Sequence, residues 1–100
     1  MTIEQRNNAI AAYMGGPDYL KEKHFDHLMD VEFELIGPED LQFHSSWDWM
    51  IPVWKKIRFE MTPVMVIHAI SCIDDDAIDP LHELVSQVAI DWCKKHDINL

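Results

Sequence analysis

Trp47, Met50, Ile51, Trp54 and Ile57 fall at i, i+3, i+4, i+7 and i+10, and three of the four tryptophans of the chain lie within positions 47–54. Large apolar side chains in that register leave few alternatives. The segment must be a helix, and its stripe must lie at the centre of a core. Ser45 and Ser46 stand where the helix begins, because a serine oxygen can accept from the orphan amides of a first turn. Asp48 suits the positive end of the same helix. Pro52, past the first turn, predicts a kink or a split after Met50. Trp49 and Val53 form a second apolar row off the main stripe. A helix apolar over so much of its circumference is either covered on two sides within the monomer or placed at an interface. Trp49 and Val53 are therefore taken as a candidate partner surface, for a second protein or a second copy.

The remaining elements follow from spacing and punctuation. Thr2 and Gln5 have capping-box spacing, so a helix is expected from there to about Met14, with Ile3, Ile10, Tyr13 and Met14 inward and Gly15-Gly16-Pro17 as its stop. Residues 18–26 are weakly patterned and read as loop or one irregular turn. Met29, Val31, Phe33 and Leu35 alternate with Asp30, Glu32 and Glu34, which predicts a half-buried strand over 28–36. Gly37-Pro38-Glu39-Asp40 reads as a turn, and 41–44 as a short strand returning on the first. The apolar, β-branched run 62–73 suggests a central strand covered on both faces. Asp79-Pro80 reads as a helix start, and Leu81, Leu84, Val85, Val88, Ala89 and Trp92 form the clearest helical stripe in the chain. The order α-β-β-α-β-α is that of a single α+β domain over 1–100: a two-layer sandwich, a small three-stranded sheet packed with about three helices.

Charge bounds the partners. Eight basic and 18 acidic residues give −10, a field that disfavours direct binding to nucleic acid or to an anionic membrane. It suits either solubility or docking on a basic protein surface. The acidic residues singled out for such docking are Asp30, Glu32 and Glu34 on the expected strand and Asp74, Asp75 and Asp76 after the run 62–73. The start has neither the basic nor the apolar region of a signal peptide, and no apolar run approaches a membrane span. A cytoplasmic protein is expected, with Cys72 and Cys93 as reduced, buried thiols.

No complete catalytic or metal motif emerges. His24, Asp26 and His27 cluster, yet no further ligand stands at a diagnostic spacing. His82-Glu83 lacks the second histidine of H-E-x-x-H, since that position is Ser86. A calcium loop counted from Asp74 would need Gly and Glu where Asp79 and Val85 stand. His44, Ser45, Ser46 and Asp48 are too close in sequence to be a hydrolytic triad, and no G-x-S-x-G is present. His68, mid-run, reads as a core histidine. No cofactor and no metal site is expected.

The segment Leu41 to Val53, with Phe43-His44-Ser45-Ser46-Trp47-Asp48-Trp49-Met50-Ile51-Pro52-Val53 at its centre, resembles small bacterial and bacteriophage proteins that carry an H-S-S-W-D-W-x-x-P-V motif, a family of unknown function. Ile10 to Gly16 and Val85 to His96 share in the resemblance. It implies a small domain of bacterial or phage origin and transfers no functional residue. The expectation is a non-catalytic, acidic, cytoplasmic protein-interaction module. The rivals are a small metal-binding protein or enzyme built on a histidine–carboxylate cluster, and a homo-oligomeric accessory subunit.

Overall fold

Thr2 opens the computed structural model, which describes residues 2–23 and 40–98, with the expected capping box: its Oγ1 accepts from Gln5 N–H at 3.1 Å, and its own N–H donates to Gln5 Oε1 at 2.8 Å. Helix α1 (Ile3–Met14) follows and stops where two glycines take positive φ, 129° at Gly15 and 70° at Gly16. That backbone lets the Gly16 amide return to the Ala11 carbonyl, a turn a side chain would strain. Pro17 then starts helix α2 (Pro17–Lys23), with Asp18 in its first turn and Lys21 and Lys23 in its last. This regular helix, with end charges matched to its dipole, replaces the loop expected from residue 18.

Residues 41–46 form turns rather than a strand: the Ser45 and Ser46 amides both donate to the Gln42 carbonyl. Leu41 and Phe43 alternate inward and are buried there without a ladder. Helix α3 (Trp47–Ile57) runs unbroken through Pro52, which is exposed, so the missing N–H is lost on the solvent side. Ser46 is its N-cap through the backbone alone, with no bond from its hydroxyl. A 3-10 turn, Arg58–Glu60, leads to helix α4 (Pro63–Asp74), and helix α5 (Ile78–Lys95) completes the described chain.

The described residues are 79% helical, with no strand among them. Among the described residues the expected α+β sandwich is thus corrected to an all-α arrangement of five helices. The expected strand at 28–36 lies outside the described residues. The expected central strand at 62–73 is α4. Its start explains the difference: Thr62 accepts from Met65 N–H, and Pro63 occupies the first helical position. A proper N-cap and a proline at N1 outweigh the β-propensity of the valines and isoleucines behind them. Asp74, Asp75 and Asp76 end this helix instead of a strand. Asp76 takes φ 56°, and the Ala77 amide closes on the Cys72 carbonyl. Helix α5 begins one residue before the expected cap, with Asp79 and Pro80 inside its first turn.

Helix α5 is the axis of the packing. α1 lies against it most extensively, and α3 and α4 flank it. Ala9 and Ala11 of α1 and Val85 and Ala89 of α5 are all buried in the core, and Cys93 Sγ of α5 reaches the Ala9 carbonyl at 3.9 Å. Edge-on ring pairs, Tyr13 on Trp92 and Phe43 on Trp49, belong to the same core.

Candidate functional site

Two features outside ordinary core packing stand out, a buried polar cluster and an uncovered apolar helix face. The cluster joins three parts of the chain. Asn7 of α1, 1% exposed, accepts at Oδ1 from His82 Nε2–H of α5 at 2.8 Å. Its Nδ2 donates to the Leu41 carbonyl at 3.1 Å and to His44 Nδ1 at 2.9 Å. The amide therefore sets both tautomers, protonated at Nε2 in His82 and unprotonated at Nδ1 in His44. The two rings lie 5.9 Å apart. Burial, then the electrostatic influence of His44 and of Arg6, lowers the His82 pKa to about 4 against a weaker opposing pull from Asp79. The ring is held neutral.

A cleft of about 400 Å³ opens beside this cluster, lined by Ile3, Arg6, His44, Asp79, His82 and Glu83 among others. The chemistry within it is limited. The hydrogen bonds of both histidines described here run to Asn7 rather than to a nucleophile, and the nearby Ser86 hydroxyl is turned to the Glu83 carbonyl. Among the described residues, no group of three or more His, Cys, Asp and Glu is placed to share a metal ion. The Asn7 cluster is a latch that ties α1, the 41–44 turn and α5.

The residues singled out from sequence are scattered. His24, Asp26, His27, Asp30, Glu32 and Glu34 lie outside the described residues. His68 is exposed on α4, with Nε2 3.9 Å from Cys72 Sγ, instead of sitting in a core strand. Cys93 is buried and its thiol pKa is raised by that burial, which keeps it inert. Asp74, Asp75 and Asp76 are exposed at the end of α4.

Trp49 and Val53, singled out as a candidate partner surface, are buried within the chain at 9% and 0% exposure. With Met50 and Ile57 they make the inward face of α3, while Trp47, Ile51 and Trp54 are only half-buried. The buried stripe is rotated from the expected one by roughly a quarter turn.

The uncovered apolar face is on α4. Val64 is 77% exposed, Ile67 69% and Ile70 45%, and Phe59 of the preceding turn is 77% exposed. The inward side of the same helix carries only Ala69 and Cys72 fully buried, with Met65 and Ile73 partly covered. Val64, Ile67 and Ile70 form a single i±3 row. Read as a strand, 62–73 hides this row, because alternation puts Val64 and Ile70 on one side and Ile67 on the other. Read as a helix from Thr62-Pro63, the same residues show it at once.

No family model, curated protein or solved structure matches the chain. Among the described residues, no helix is long and apolar enough to cross a membrane.

Proposed function

We propose that this chain is a non-catalytic protein-interaction module of the cytoplasm, of the small bacterial or phage kind that its tryptophan segment resembles. Its binding surface is the exposed side of α4. The observation that carries this reading is the row Val64, Ile67 and Ile70 with Phe59 beside it, open to solvent on a helix whose other side is packed. Leaving such side chains exposed forgoes roughly 1.5–3 kcal/mol each, and contiguous patches of this kind mark contact sites. The −10 charge supports a protein partner over nucleic acid or an anionic membrane.

Site-specific photo-crosslinking in the cells that express the chain tests this. A photoreactive residue at position 67 should give discrete protein adducts, and one at the exposed polar position 87 of α5 should give none. Equal yields at the two positions, or no adduct at 67, would contradict the reading.

A further inference from the structure

The Asn7 latch has one contact that a proton can take away. Asn7 Nδ2 carries two hydrogens and both are engaged, one by the Leu41 carbonyl at 3.1 Å and one by His44 Nδ1 at 2.9 Å. Its Oδ1 accepts from His82 Nε2–H at 2.8 Å. The Leu41 carbonyl can only accept, so it fixes which end of the amide faces the 41–44 turn. His44 Nδ1 must therefore present a lone pair. A proton on that nitrogen sets one N–H against another. Turning the amide over does not repair this, because Oδ1 would then face the Leu41 carbonyl. No orientation of Asn7 satisfies all three partners once His44 is protonated.

We propose that His44 is an acid-sensitive release for this latch: proton uptake at its Nδ1 uncouples the 41–46 turn from α1. The lone pair of Nδ1 is held either by Asn7 or by a proton, so acid and latch compete for one atom. The ring is placed to take that proton. Asn7 is 1% exposed and His82 3%, whereas His44 is half-buried and lines the open cleft of about 400 Å³. Among the described residues, the charged and titratable groups that share this cleft with it are Arg6 of α1 and Asp79, His82 and Glu83 of α5. The two carboxylates favour an imidazolium at His44, while Arg6 and a charged His82 oppose it.

His82 is not the trigger. A proton added at its Nδ1 leaves Nε2–H on Asn7 Oδ1, so it charges a buried ring without uncoupling the amide from the turn. Release at His44 acts on the turn itself. The bonds from the Ser45 and Ser46 amides to the Gln42 carbonyl are local and do not tie the turn to another element. Without Asn7, the packing of Leu41 and Phe43 in the core is left to hold it.

Nitrogen-15 NMR of the full chain tests this. At about pH 7.5, the upper side of the range in which histidines change charge, the His44 ring should show the Nε2–H tautomer. At about pH 5, the lower side of that range, it should carry a proton on both nitrogens. Hydrogen exchange at the Ser45 and Ser46 amides, corrected for the direct effect of pH, should then rise about tenfold, while the amides of residues 85–89 in α5 keep their protection. His44→Asn puts an acceptor where Nδ1 stands and cannot titrate, so its turn should exchange equally at both pH values. His82→Gln keeps the donor to Asn7 and should leave the acid response of the turn in place. A His44 ring protonated at Nδ1 at the upper pH, or unprotonated at the lower, would overturn the proposal. So would turn exchange that does not change as His44 is protonated, or an acid response that survives His44→Asn or vanishes in His82→Gln. The ring signals and exchange of the native chain test the claim without either variant.

Discussion

Asn7 is the residue on which most polar structure converges, since one amide satisfies His82, His44 and the Leu41 carbonyl. Asn7→Ala would leave a buried imidazole N–H and a buried carbonyl unpaired, and should cost about 2–4 kcal/mol in urea unfolding. The same cluster makes stability depend on pH with a defined sign. The folded His82 pKa of about 4 lies below its unfolded value of 6.5, so between these values the unfolded chain binds the extra proton. Its contribution is complete above about pH 6.5 and is lost as pH falls toward 4, by up to roughly 3 kcal/mol. His82→Gln keeps a donor for Asn7 and removes the titration. The difference in stability between the native chain and this variant should therefore shrink as pH falls from 7 to 4.5 in matched urea titrations. A difference constant across that range would show that His82 is not held neutral.

At the scale of elements, helix starts decided more than interiors did. The Thr2–Gln5 box and the stripe from Leu81 to Trp92 were legible because cap and periodicity agree there. Residues 62–73 were not, because near-continuous apolar character has no period and the Thr62-Pro63 start is a short signal beside it. Removing that cap by Thr62→Ala should lower stability by about 1 kcal/mol, a fall of roughly 4–8 °C in Tm for a domain of this size. The tryptophan segment was legible as a helix but not in phase. Trp47, Ile51 and Trp54 are as apolar as Trp49 and Val53, so composition alone cannot choose which row turns inward. The choice falls to the neighbours, with Phe43 placed edge-on against Trp49 and Lys56 carried over the Tyr13 ring to the Tyr13 carbonyl. The Asn7–His82–His44 cluster left no sequence signal, since its members are separated by as many as 75 positions and form no spacing motif.

For the molecule as a whole, the issue is where the apolar surplus of a small acidic chain resides. α1, α3 and α5 spend theirs on one another around Ile10, Met50, Val53, Leu81 and Val85, all fully buried. α4 contributes Ala69 and Cys72 to that core and holds its larger branched residues outside it. A central strand in the same place would have buried them. The two arrangements differ most at Ile67, and the most direct test is urea unfolding of Ile67→Asp beside Val53→Asp, at concentrations below any self-association. Ile67→Asp should lie within about 0.5 kcal/mol of the native chain, while Val53→Asp, burying an unpaired carboxylate, should lose more than about 4 kcal/mol or fail to fold. An Ile67→Asp chain as unstable as Val53→Asp would place α4 in the core and contradict its role as a binding face.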